Sequence, residues 1–133
     1  MKKNVIGKTN LSVTELGIGT APIGGWPKSI EEENALETLE SAWKNGIRYF
    51  DTAPMYGYGM AEERLGKFLK TKKRDEFVIS TKVGRIIIDS ESNSTFEPFF
   101  KGAPKREPHF DFSYDATLRS FEDSLKRLQL DKV

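Results

Sequence analysis

Ile47-Arg48-Tyr49-Phe50-Asp51, the loop Thr52-Ala53-Pro54-Met55-Tyr56-Gly57-Tyr58-Gly59, and Phe77-Val78-Ile79-Ser80-Thr81-Lys82 form the stretch whose reading decides the fold. The first and last pieces are short runs of β-branched and aromatic residues, each closing on a charged side chain, and they read as buried strands. Between them Ala61, Leu65, Phe68 and Leu69 recur at helical spacing, and the basic run Lys70 to Arg74 suits the negative end of a helix. Strand, helix, strand in this order implies a parallel pair joined by a crossover.

The same alternation continues outward. Upstream, Glu15-Leu16-Gly17-Ile18-Gly19-Thr20 reads as a first buried strand ending in small residues. Ser29-Ile30-Glu31-Glu32 has the form of a capping box, followed by Ala35, Leu36, Leu39, Ala42 and Trp43 at helical spacing and a stop at Asn45-Gly46. The opening Val5 to Val13 reads as two short extended pieces around a turn of Gly, Thr and Asn. Downstream, Ser113 is a plausible cap for a helix whose inner face is Leu118, Phe121, Leu125 and Leu128, and Leu130 to Val133 starts as a further strand should.

The fold class is therefore α/β: a partial (β/α)8 TIM barrel made of an N-terminal hairpin (1–14) and the first three β/α units (15–133), all one domain, with a long loop at 84–112. A full barrel takes about 250 residues, against 133 here. The alternative, a complete open sheet of three parallel strands, would leave two apolar edges and an uncovered face. The 84–112 segment is longer than most connections and reads as a substrate-contacting loop or a segment without fixed structure. In it Phe96, Phe99, Phe100 and Phe110 either line a pocket or anchor the loop to the rim. Trp26 is a further candidate pocket residue.

Composition narrows the function. The net charge is +1 with 31% charged residues of both signs interspersed, which argues against nucleic acid or an anionic membrane as partner. No cysteine is present and His109 is the single histidine, so no metal site is expected. The start carries no apolar run, and nowhere do about 18 consecutive apolar residues occur. A cytoplasmic setting fits.

The chemistry is expected where parallel strands end. Asp51 closes one strand and Lys82 the next, with Tyr56 on the loop between. An ammonium near a phenol favours the phenolate and lowers its pKa from about 10. Asp51 would hold Lys82 charged, and Tyr56 would act as a general acid. Read from the residues alone, Asp51 and Lys82 are equally a structural ion pair, and Tyr56 a packing residue.

Arg48-Tyr49-Phe50-Asp51-Thr52-Ala53-Pro54-Met55-Tyr56-Gly57 resembles the aldo-keto reductase signature, and Ser80-Thr81-Lys82-Val83-Gly84 resembles that family's lysine motif. Leu16 to Thr20 and the opening Ile6-Gly7-Lys8-Thr9 also fit. The resemblance implies a nicotinamide cofactor, NADP(H) or NAD(H), bound without a Rossmann motif, and a small-molecule sugar or carbonyl substrate. It implies Tyr56 as proton donor, Lys82 as the group that tunes it, Asp51 as the anchor of Lys82, and Gly19-Thr20-Ala21 with Asp51 beneath the nicotinamide. The family's fourth residue is a histidine at the end of the fourth strand, beyond Val133, and His109 is not that residue. The third strand, the long loop and Phe110 to Asp115 resemble the sugar dehydrogenases that oxidise L-fucose, D-threo-aldoses or related sugars, with the pyridoxal dehydrogenases close by.

Two rival oxidoreductase patterns fail. Gly17-x-Gly19 lacks the third glycine, since Pro22 stands there and no helix opens. Tyr56 and Lys82 lie too far apart for a tyrosine and lysine on one helix. Besides a truncated reductase, inactive alone, the sequence leaves two readings open. One is a piece of a barrel completed by another chain, or by self-association through open sheet edges. The other is a non-catalytic reductase-like binding subunit.

Overall fold

A computed structural model describes residues 1–133. Strand β1 (Lys3–Val5) pairs antiparallel with β2 (Ser12–Thr14). The chain then lays down β3 (Ile18–Gly19), helix α1 (Glu32–Lys44), β4 (Tyr49–Asp51), α2 (Met60–Leu69) and β5 (Val78–Ser80). The three later strands form one parallel sheet in the order β3-β4-β5, with Gly19 opposite Asp51 and Asp51 opposite Ser80. This register brings the ends of all three strands to one rim.

The core lies between this sheet and its helices. Phe50 and Ile79 point from the sheet into a cluster with Ala35 and Leu39 of α1 and Leu65, Phe68 and Leu69 of α2. Trp43 closes one side, edge-on to Phe68 and Phe77. The Arg48 guanidinium lies 3.7 Å from the Trp43 ring centroid, a cation over an aromatic face.

Three local expectations are corrected. The capping box at Ser29 does not form: α1 begins at Glu32 and its cap residue is Glu31, with no side-chain cap bond. Arg64 of α2 donates to the carbonyls of Ile23 and Ile30. That tertiary bond ties up the chain where a local cap would have turned it. The 84–112 segment is not a plain loop, because β6 (Arg85–Asp89) and β7 (Arg106–Phe110) pair antiparallel within it. Alternation is weak in both strands, since burial follows position along the ribbon and not its face: Arg85 to Ile87 and Arg106 to Pro108 are half-buried while the last two residues of each strand are exposed; Pro108 further obscures the second.

The third correction concerns the last helix, α3 (Tyr114–Leu128). Ser113 caps it as expected, accepting from the Ala116 amide. The buried face, however, is Ala116, Ser120, Ser124 and Leu128, while Leu118 is exposed and Phe121 and Leu125 are half-buried. Small residues let α3 come close to α2, where an added Cβ at Gly66 would lie 2.4 Å from the Leu128 carbonyl oxygen. Ser120 also donates to the Arg85 carbonyl. Close backbone approach and that bond select the small face over the larger apolar one.

Candidate active site

The rim of the parallel sheet carries a continuous set of polar contacts. Lys82, just beyond β5, donates to Asp51 Oδ2 at 2.7 Å and to the Thr52 carbonyl at 2.9 Å. Ser80 Oγ donates to the other carboxylate oxygen of Asp51 at 2.7 Å, and the Tyr49 hydroxyl lies 3.1 Å from Ser80 Oγ. Asp51 is thereby fixed through both oxygens. Thr81, beside Lys82, is held in turn by Glu62, whose carboxylate accepts from Thr81 Oγ1 at 2.7 Å.

Tyr56 is placed by its loop. Gly57 has φ +63°, and a Cβ there would meet the Gly24 carbonyl oxygen at 2.5 Å, so only glycine allows the loop to dock on the short 3₁₀ turn Pro22–Gly24. The Tyr56 ring then stands over the pair, its centroid 5.2 Å from Lys82 Nζ. Partial burial works to lower the Lys82 pKa. The hydrogen bond and charge of Asp51, with a further contribution from Tyr56, outweigh it and hold the ammonium above its ordinary value of 10.5.

Gly19 offers the neighbouring surface. A Cβ built there meets nothing within 4 Å, so the tip of β3 is an open face beside the half-exposed Asp51 carboxylate. Thr20 is buried and spends its hydroxyl on the Asp51 carbonyl at 3.0 Å. Ala21, next along the chain, is half-buried.

The remaining candidates fall elsewhere. Trp26 stacks on Phe99 at 6.3 Å and does not line the cleft beside Lys82. Phe96 and Phe100 pack edge-on to buried Tyr58, whose hydroxyl accepts from the Phe99 amide at 2.8 Å. These rings anchor the segment, whereas Phe110 lines the cleft. His109 is exposed on β7. Two participants were missed in the sequence, Ser80 and Tyr49. The signal for them was available: with side chains alternating along a strand, Tyr49 shares a face with Asp51, and Ser80 with Lys82.

The aldo/keto reductase family model matches residues 15–133. The chain belongs to this family. It is 43% identical to pyridoxal 4-dehydrogenase of Microbacterium luteolum over 99% of its own length and 41% of that protein. It is 39% identical to D-threo-aldose 1-dehydrogenase of a Pseudomonas species, over 92% of this chain and 39% of that one. Among solved structures, an aldo-keto reductase from Bacillus halodurans in its holo form superposes with a TM-score of 0.75 at 31% identity, covering 98% of this chain and 37% of that one. The 133 residues thus span roughly two-fifths of these relatives, and their sheet and helices are the first three β/α units of a partial TIM barrel. Aldo-keto reductases are oxidoreductases that use NAD(P)H and act on small carbonyl or sugar compounds. No helix is long and apolar enough to cross a membrane.

Proposed function

We propose that these residues form the proton-donating half of a nicotinamide-dependent oxidoreductase site acting on a sugar or aldehyde carbonyl and the corresponding alcohol. The observation that carries the reading is the Asp51–Lys82 ion pair set beneath the Tyr56 ring. In this role Tyr56 donates its phenolic proton to the substrate oxygen during reduction and takes it back during oxidation. Lys82 stabilises the negative charge that develops on the phenolic oxygen, and Asp51 keeps the ammonium charged and aimed.

Gly19, Thr20 and Ala21, with the edge of Asp51, would hold the nicotinamide of NADP(H) or NAD(H); the open face at Gly19 fits a planar ring. When bound, the dinucleotide supplies or accepts the hydride. The chain's own contribution is to position the proton donor opposite that surface. The relatives' names support oxidation of a sugar or of an aromatic aldehyde as the substrate range.

The test supplies the chain with a second polypeptide carrying the remaining β/α units of a relative and follows NAD(P)H absorbance. Tyr56→Phe should lower reduction at least ~10²-fold and leave cofactor binding nearly intact. Turnover equal to that of the parent would remove Tyr56 from the role. The 133 residues alone should turn over far below the roughly 1 per second usual for enzymes.

Association with a completing chain, or with a second copy, is the second part of this reading. It is favoured by β5, which pairs only with β4, and by Leu118, exposed on α3. Light scattering should give a mass that rises with concentration, and a concentration-independent monomer would argue against it.

A further inference from the structure

The Tyr56 ring takes its place from the loop that carries it. It is half-buried at the edge of the core, with Lys82 Nζ 5.2 Å and the Phe100 ring 6.3 Å from its centroid. The backbone that follows is unusual: Gly57, Tyr58 and Gly59 succeed one another at φ +63°, +52° and +93°. Glycine adopts such angles freely, whereas a tyrosine does so only where its surroundings hold it there.

Those surroundings are the 96–101 segment. Tyr58 is fully buried. Its hydroxyl accepts from the Phe99 amide at 2.8 Å and lies 3.5 Å from that of Phe100, while Phe96 and Phe100 stand edge-on to its ring. No other acceptor meets the Phe99 amide. The segment is fastened in turn to the residues around the 3₁₀ turn: Lys101 donates its amide to the Gly25 carbonyl at 2.8 Å, and a Cβ on Gly25 would lie 2.1 Å from the Lys101 carbonyl oxygen. The same turn receives the Tyr56 main chain, since a Cβ on Gly24 would meet the Tyr56 carbonyl carbon and the Gly57 nitrogen at 2.8 Å. These contacts close a circuit from Tyr56 through Tyr58, the 96–101 segment and the turn. Buried Phe100 is the ring that neighbours both tyrosines.

We propose that Tyr58 is a positioning residue: its hydroxyl fastens the 96–101 segment, and through Phe100 that segment holds the Tyr56 ring over Lys82. Tyr58 acts through Tyr56 and touches no reacting atom. The assignment rests on the proton-donor reading only for what the held ring does. The coupling itself stands on a buried phenol, a buried phenyl ring and main-chain bonds, all among residues 22–101. One hydroxyl has this reach because a buried amide that loses its only acceptor is costly. The stretch that bears it must then shift or open, taking Phe100 with it.

The test compares Tyr58→Phe, which keeps the ring and removes the hydroxyl, with Phe100→Leu, which keeps the hydroxyl bond and removes the bridging ring. NMR of the full 133-residue chain reads two quantities, amide exchange at Phe99 and the Overhauser contact between the Tyr56 ring and the Lys82 methylenes. Tyr58→Phe should speed Phe99 exchange about tenfold or more and weaken the Tyr56–Lys82 contact. Phe100→Leu should weaken that contact while Phe99 exchange stays slow. Faster exchange with the contact intact would make Tyr58 a structural anchor only and overturn the proposal, as would unchanged exchange. Should Tyr58→Phe lose the folded spectrum, Phe100→Leu decides alone, and an intact contact there overturns it. In the barrel completed by a second polypeptide, Tyr58→Phe should lower kcat roughly tenfold and leave the KM for the dinucleotide unchanged; a change in KM alone would count against it. A parent barrel without turnover would sink the redox reading, while the two NMR quantities would still decide the coupling.

Discussion

Arg127, near the end of α3, donates its Nε to the fully buried carboxylate of Glu62 on α2 at 2.7 Å. Glu62 accepts at its other oxygen from Thr81, so one carboxylate ties two helices to the segment that bears Lys82. Removing one partner of a buried pair leaves a charge without compensation. Arg127→Leu is therefore expected to cost about 3–5 kcal/mol of stability, and Glu62→Leu with Arg127→Leu should recover much of that loss. Urea denaturation measures both. A single variant as stable as the parent, or a double variant no better than the single, would deny the pair this role.

The contact between Lys82 and Asp51 has a pH signature. Folding raises the Lys82 pKa above 10.5, so its contribution is fully present below the unfolded value and is lost as pH rises through the folded one. Stability should thus fall in the alkaline range, from about pH 10.5 upward, and less so in Asp51→Asn, where the partner charge is gone. Lys126, also raised, by its bond to Asp123, contributes equally to both proteins and cancels. Denaturation midpoints at neutral and strongly alkaline pH check this. An alkaline loss of the same size in parent and variant would show that the pair is energetically silent.

Both of these networks bear on what the sequence alone makes legible. The strand ends at Asp51 and Lys82 were readable because apolar runs closing on a charge have one sensible place in a parallel sheet. Ser80, which bonds Asp51, shares a face with Lys82 by the period of two, yet that alone does not bring it to the carboxylate. Register is the missing quantity: only the pairing of Asp51 with Ser80 brings that hydroxyl to the carboxylate. The buried face of α3 is hidden from the sequence for a different reason. Leu118, Phe121 and Leu125 make the stronger apolar stripe, but helix approach is decided by which side chains are small, and that depends on Gly66 of a distant helix. Local propensity carries no record of such a partner.

Gly66 sits at that approach, with the Leu128 backbone carbonyl against the position a Cβ would take. Two effects oppose each other on substitution. Alanine in a helix interior gains about 1 kcal/mol over glycine, whereas forcing a methyl into packed backbone costs typically about 1–3 kcal/mol. The obstructing atoms belong to main chain at the end of α3 and cannot rotate away. Gly66→Ala is therefore expected to destabilise, and thermal denaturation decides the sign. A more stable variant would mean that α3 moves aside freely.

Two serines that look alike in sequence provide the last comparison. Ser29 and Ser113 each precede a helix, yet only Ser113 accepts a bond from an amide of the first turn, that of Ala116 at 3.3 Å. Ser29 is exposed, and α1 starts beyond it from a cap at Glu31. Ser113→Ala should lose about 1 kcal/mol, while Ser29→Ala should stay within about 0.5 kcal/mol of the parent. Arg64→Met, which removes the bonds to the Ile23 and Ile30 carbonyls, should cost more than either serine change, since it frees the chain entering α1 and leaves two carbonyls without their partner. If Ser29→Ala proved the more damaging serine substitution, the entry to α1 would be governed by its local cap after all, and the tertiary bond from Arg64 would be incidental.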